Sequence, residues 1–141
     1  WENDFSIYQK IINDNNLSDY CLIHNKFIPH EDVDHYYASA DLVVLPYKSI
    51  YQSGVLMMSM SYEKAVIVSD LPPLIEVVED MKTGFVFESE NSESLSEKLN
   101  RILSDTNKLE EVRIEGSNHI KSKYDWLEIG KEMKKSYQSI L

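Results

Sequence analysis

The chain has 141 residues, 43% of them hydrophobic, a formal net charge of -10 and a single cysteine. That length fits one domain or a piece of one with a real core. It lacks any run of about 18 apolar residues for a transmembrane helix, the acidity opposes whole-surface attraction to nucleic acid, and one cysteine excludes an internal disulfide.

The first residues, Trp1-Glu2-Asn3-Asp4, are polar and acidic and carry no initiator Met. They do not resemble a signal peptide, and they read as a boundary within a longer protein. Asp4 to Asn15 has helical periodicity, with Phe5, Tyr8, Ile11 and Ile12 on one face. Asn16-Leu17-Ser18 matches a glycosylation triplet, but nothing else looks secreted, and Cys21 suits a reducing cytoplasm. Tyr20 to Ile23 is a short apolar run, hence a strand. Glu31 to Ser39 predicts a helix with Val33, Tyr36, Tyr37 and Ala40 at core spacing. Leu42 to Leu45 predicts a fully apolar strand, ended by Pro46.

Gly54 to Tyr62 predicts a helix whose Met57, Met58 and Met60 read as core filling. Val66 to Val68 is another buried strand. Glu76 falls in a short helical turn after Pro72-Pro73, and Gly84 to Phe87 is a further strand. Ser94 to Leu103 predicts a helix, with Ser94 and Glu97 as a capping box. Lys108 to Lys121 is helical but weakened by Gly116. Trp126 to Leu141 closes the chain behind an Asp125 cap, with Trp126, Ile129, Met133, Tyr137 and Ile140 on one side.

Alternating helices and fully apolar strands mark an α/β fold, a Rossmann-like three-layer sandwich around a mostly parallel sheet. Ligands of such sheets bind beyond the carboxyl ends of the strands. The segment Pro46 to Leu56 lies there, between a strand and a helix. Ser53 is a good N-cap, and Gly54 leaves room for a close approach. The amides of Gly54, Val55 and Leu56 are expected to be unpaired, and the helix dipole favours an anion. The competing reading is a plain helix cap beside a turn. Neither a dinucleotide glycine motif nor a P-loop occurs. The four histidines, His24, His30, His35 and His119, are scattered, and no zinc site is expected.

Several segments, in order, resemble one enzyme family. They are Phe27 to Tyr37, Ala40 to Tyr47, Gln52 to Leu56, Lys64 to Asp70, Glu76 to Val78 and Tyr124 to Ile129. The family is the retaining glycosyltransferases of the GT-B fold, called glycosyltransferase group 1 or family 4. The resemblance implies a partial, single-domain C-terminal piece (residues 1–141) of a two-domain enzyme that lacks the first two strands of the complete donor domain. It implies transfer of a sugar from a nucleoside-diphosphate sugar to a glycan or lipid-linked acceptor in polysaccharide biosynthesis. Its partners would be the nucleotide-sugar donor and a missing N-terminal acceptor domain. No metal or other cofactor is implied, and the setting would be cytoplasmic, with the missing domain able to reach the inner face of the membrane.

By family position the donor would meet Tyr47, Ser53, Gly54, Val55, Leu56 and Glu76, with catalytic residues unassigned. Many members carry a glutamate pair near this loop, where this chain has Ile50 and Met58. The family's basic diphosphate-binding pair has no counterpart, and Lys26, Lys48 and Lys64 are the lysines nearest the candidate loops. Lys48 is the best substitute among them, although a solvated lysine accounts for it better, and Glu76 reads equally as a surface helix cap or a packing residue. Tyr47 and Tyr51 stay open as stacking residues. A sheet missing two strands would leave bare edges, so the Tyr20 to Ile23 strand is expected to shift or the chain to self-associate. A second reading is a flavodoxin-like interaction or receiver module. Asp41 precedes its strand and Asp70 is a lone carboxylate, which weighs against it.

Overall fold

The computed structural model describes residues 4–140, with the Trp126 side chain excepted. The Trp126 side chain in the last helix's stripe, and Leu141, fall outside what is described; that helix ends at Gln138, with Ser139 and Ile140 in a turn, short of the predicted Leu141. The chain divides into two compact units, Trp1–Val33 and Asp34–Leu141.

In the first unit, α1 runs from Ser6 to Asp14, and the Asp4 carboxylate accepts from the Ser6 amide at 2.9 Å. The helix ends because Asn16 takes a left-handed conformation (φ 53). The amides of Asn16 and Leu17 then turn back to the carbonyls of Asn13 and Ile12 at 3.1 and 2.9 Å. This is a Schellman ending, in which asparagine does the work of glycine. The expected strand at Tyr20 to Ile23 does not form. Residues 18–20 are a turn, and Tyr20 and Leu22 are 85% and 87% exposed. A four-residue apolar run has no cohesion of its own; it needs a neighbour to share ladder hydrogen bonds. Among the described residues it has none. A 3₁₀ turn, His30–Asp32, comes before α2, Val33–Ser39, so the predicted second helix starts tighter and later than its sequence pattern.

The second unit is built on three parallel strands in the order β1-β2-β3: Leu42–Leu45, Ala65–Ser69 and Phe85–Phe87. Leu42 pairs with Ala65, and Ile67 with Phe85. The central strand is buried along its whole length. Its alternate residues serve two cores. Val66 and Val68 join Leu45, Leu56, Met60, Leu74 and Ile120 on one face. Ala65 and Ile67 join Phe85, Phe87, Ile102 and Val112 on the other. Burial on both faces explains why the central strand reads as a continuous apolar run rather than an alternating one; in β1 only Leu45 is buried and Val44 is exposed. Among the described residues β1 pairs with β2 alone.

The remaining helices are α3 (Gly54–Ser61), α4 (Pro72–Ile75), α5 (Ser92–Ser104), α6 (Thr106–Lys123) and α7 (Trp126–Gln138). One cap assignment changes. Helix α5 starts before Ser94 because Asn91 is its cap and accepts from the Ser94 amide at 2.9 Å. The Ser94 hydroxyl instead accepts from the Glu88 amide at 3.1 Å, tying the helix to the end of β3. Asparagine and serine are equally good caps, so sequence alone does not choose between them. Asp125 caps α7 as predicted, accepting from Leu127 and Glu128. Gly116 does not weaken α6 by accident: it is buried where the helix passes the Thr83 carbonyl. Core filling holds for Met60, which is fully buried, but not for Met58, which is 41% exposed. No helix among the described residues is long and apolar enough to cross a membrane.

Candidate functional site

The carboxyl ends of the three strands are tied together by short polar side chains. Beyond β1, the Tyr47 carbonyl accepts from the Ser69 hydroxyl at 2.7 Å and from the Ser89 hydroxyl at 3.4 Å. The Asp70 carboxylate accepts from the Ser89 amide at 2.8 Å. The Asp70 amide donates to Phe87 at 2.9 Å. Ser69 is fully buried, so an unmade hydrogen bond there would be costly. This lock fixes where the chain leaves each strand, and it sets the entry into α3.

Pro46 cannot extend the β1 ladder, and the chain turns toward Ser53. Ser53 takes an extended conformation and caps α3, its hydroxyl accepting from the Leu56 amide at 3.1 Å. The expectation of three open amides is therefore corrected to two, because the serine that starts the helix satisfies the third. The N–H groups of Gly54 and Val55 have no partner among the described residues. A Cβ built on Gly54 would meet nothing within 4 Å, and its φ is not positive. Neither packing nor backbone conformation requires a glycine at this place.

Ser53 and Gly54 line a cleft of about 610 Å³ with Leu56, Met57, Glu76 and Tyr124. Tyr51, Gln52, Pro73 and Val77 complete it. Leu56 is 1% exposed, so it contributes support rather than a reaching side chain. Glu76 follows the last turn of α4, its amide donating to the Pro72 carbonyl at 3.1 Å. Its carboxylate is exposed and has no ion-pair or hydrogen-bond partner among the described residues. A negative charge at a helix carboxyl end opposes the dipole, so Glu76 is not placed there for helix stability. The cleft thus combines the open amino end of α3 at Gly54, a free carboxylate and an apolar wall. Amides and a helix amino end hold anions, while a carboxylate accepts from hydroxyl groups.

The six candidate residues are not all gathered. Ser53, Gly54, Leu56 and Glu76 share the cleft; Val55 is not among its lining residues. The Tyr47 side chain packs against the core, and its carbonyl serves the strand-end lock. Ile50 is packed there too. Tyr37 stacks on Tyr62 with ring centroids 4.6 Å apart, in keeping with a packing role. Lys48 makes a solvated ion pair with Glu90 at 3.3 Å. Lys64 lies elsewhere, in a cleft of about 580 Å³ with Ala40, Asp41, Leu103 and Arg113, which sits at the amino ends of the strands. Asp41 is thereby removed from the carboxyl ends, and Asp70 is engaged by Ser89, so no receiver-type acidic cluster forms there. Among the described residues no three His, Cys, Asp or Glu side chains could hold a metal ion together.

The sequence reading missed Tyr124. Its ring stands edge-on to His119, with centroids 6.4 Å apart, and beneath Lys123 Nζ at 5.5 Å. The buried Nε2 of His119 has no hydrogen-bond partner among the described residues. Burial, with the nearby Lys123 and Lys82 opposed by Glu79, holds this imidazole below its ordinary value of 6.5. The unfolded chain then binds the proton more tightly than the folded one. This contribution is complete above about pH 6.5 and is lost as the pH falls below it. The thermal midpoint is expected to drop between pH 7 and pH 5, and to drop less in His119→Phe. Equal drops in calorimetric scans would remove His119 as the cause.

The model of the family described as "Glycosyl transferases group 1" matches residues 2–119. An uncharacterized glycosyltransferase from Methanocaldococcus jannaschii is 28% identical over 114 residues, covering 79% of this chain and 29% of its relative. Among solved structures, sucrose-phosphate synthase from Thermosynechococcus elongatus aligns over 94% of this chain and 33% of its own, with 22% identity and a TM-score of 0.82. The Anabaena protein HepE, solved with UDP and glucose, aligns over 95% of this chain and 36% of its own, with 19% identity and a TM-score of 0.83. The chain therefore spans about a third of the length of these relatives, and the structural likeness establishes a shared fold.

Proposed function

The chain belongs to the glycosyl transferases group 1 family, and we propose that it is part of the C-terminal, donor-binding domain of a retaining enzyme that takes a sugar from a nucleoside-diphosphate sugar. The single observation that carries this reading is the open amino end of α3, whose Gly54 lines a cleft that also holds the free carboxylate of Glu76. The complex of HepE with UDP and glucose supports a donor of this class.

Transfer breaks the bond between the anomeric carbon and the diphosphate, and negative charge grows on the leaving oxygen. Fixed amides at a helix amino end are already oriented toward that charge, so they stabilise it without reorganising. The acceptor would be a glycan or a lipid-linked glycan in polysaccharide assembly, brought by an N-terminal domain elsewhere in the parent protein. The exposed stripe of α7, with Met133 and Tyr137, and Ile140 just beyond it, is suited to packing against further protein.

Two charge-assisted hydrogen bonds at about 1.5–3 kcal/mol each support only weak binding, with a Kd on the order of 1 mM. Titration calorimetry of this chain with UDP and GDP is expected to give that weak binding, and assays with nucleotide sugars no transfer. The intact parent is expected to bind more tightly and to turn over. A parent that binds no nucleoside diphosphate and no nucleotide sugar would overturn the reading, and transfer by this chain alone would overturn its being a partial site.

A further inference from the structure

Tyr124 is the one cleft residue that arrives from the far end of α6, and three restraints hold it there. Its amide donates to the Ile120 carbonyl at 3.0 Å, closing the last turn of the helix. Its ring packs against the core cluster that contains Leu56 and Leu74. His119 stands at its edge and Lys123 lies over its ring. A tyrosine hydroxyl that is buried finds a hydrogen-bond partner within the protein, so one without such a partner is one that reaches open space. The Tyr124 hydroxyl has no hydrogen-bond partner among the described residues, and it is not among the buried unsatisfied atoms. The ring is therefore fixed while its polar tip is left available in a cleft.

The same cleft holds the Glu76 carboxylate and the apolar surfaces of Met57 and Pro73. A pyranose ring presents hydroxyls around its rim and C–H groups on its faces. A free carboxylate accepts from such hydroxyls, a tyrosine hydroxyl both donates and accepts, and a restrained aromatic ring offers an apolar surface at little entropic cost. A phosphate or a flat neutral base would not need this combination. We propose, resting on the donor reading above, that Tyr124 and Glu76 form the subsite for the glycosyl group, while the Gly54 and Val55 amides take the diphosphate. Tyr124 then distinguishes the nucleotide sugar from the bare nucleotide.

The test uses the intact parent enzyme and compares each nucleoside diphosphate with its own sugar derivative, across UDP, GDP, ADP and dTDP pairs. Calorimetry on the wild type identifies the pair that binds. With that pair, Tyr124→Phe is expected to weaken the nucleotide sugar about fivefold, the worth of one hydrogen bond, and to leave the free diphosphate within about twofold. Tyr124→Leu keeps apolar volume but loses both ring and hydroxyl, and is expected to weaken the sugar derivative about 30-fold relative to the diphosphate. Thermal scans confirm that each variant is folded. Unchanged sugar-to-diphosphate affinity ratios in both variants would overturn the inference alone. Equal weakening of both ligands would assign Tyr124 to the architecture of the whole cleft and overturn it too. A wild type that binds no pair would overturn the donor reading, and this inference with it.

Discussion

Gly54→Ala in the full-length enzyme is expected to lower kcat/KM for the nucleotide sugar about 100-fold while leaving the thermal midpoint unchanged or slightly raised. A methyl group at Gly54 would touch nothing within 4 Å inside the protein. The backbone there is ordinary, and Ser53 would still cap the helix through Leu56. Alanine is the better helix former, by about 0.5–1 kcal/mol in a helix interior. On stability alone, glycine is therefore the poorer choice at this position. The substitution also keeps the amide, so it does not remove a hydrogen bond. It only fills the space in front of two open N–H groups. If the diphosphate approaches there, the methyl holds it away by roughly an ångström, a displacement that costs on the order of 100-fold in rate. Steady-state kinetics beside a thermal scan separates the outcomes. Unchanged kcat/KM with an intact fold would mean that the donor does not come to α3. A lower midpoint would mean that Gly54 carries a packing role absent from the structure.

How much of this was legible in the sequence depended on how local each signal was. Val66 to Val68 was legible because burial on both faces writes itself as a continuous apolar run, and Leu42 to Leu45 because its residues are apolar too, although Val44 is exposed. Ser53 and Asp125 were legible as caps because a cap acts within three residues of itself. The same locality put Ser53, Gly54 and Glu76 in one cleft, since each follows the carboxyl end of a recognisable strand. Tyr20 to Ile23 was misread because a strand is defined by a neighbour, and the run itself carries no information about one. Tyr47 was read for its ring, whereas the structure uses its carbonyl, and a carbonyl has no sequence signature. Leu56 was read as a donor whose amide stays open; the hydroxyl three residues earlier takes it. Tyr124 was missed because it reaches the cleft from the last turn of α6, and only tertiary packing brings it there.

Gly116→Ala is expected to be the most damaging single-methyl change in the chain, costing about 2 kcal/mol and lowering the midpoint by roughly 5–10 °C. Within an isolated helix the same change would stabilise. Its cost comes from tertiary approach: the added Cβ would lie 2.5 Å from the Thr83 carbonyl oxygen and 3.3 Å from the Met60 Cε. The methionine can move, but the carbonyl belongs to a short loop that is itself constrained. Thr83 Oγ1 accepts from the Glu79 amide at 2.9 Å, and the Met81 amide donates to the Gly84 carbonyl at 2.9 Å. Gly84 has no room either, because its own Cβ would meet Val78 and Val66 within 3 Å. Helix α6 must therefore yield, and it carries Ile120 into the core and Tyr124 into the cleft. Gly130→Ala in α7 is the matched control. Nothing lies within 4 Å of that Cβ, and the change is expected to be neutral or to stabilise by up to about 1 kcal/mol. Differential scanning of the two variants reads the contrast directly. If both shift the midpoint upward, α6 is not pressed against the Thr83 loop. If only Gly116→Ala falls, the close approach that positions Tyr124 is established by a residue that never touches the ligand.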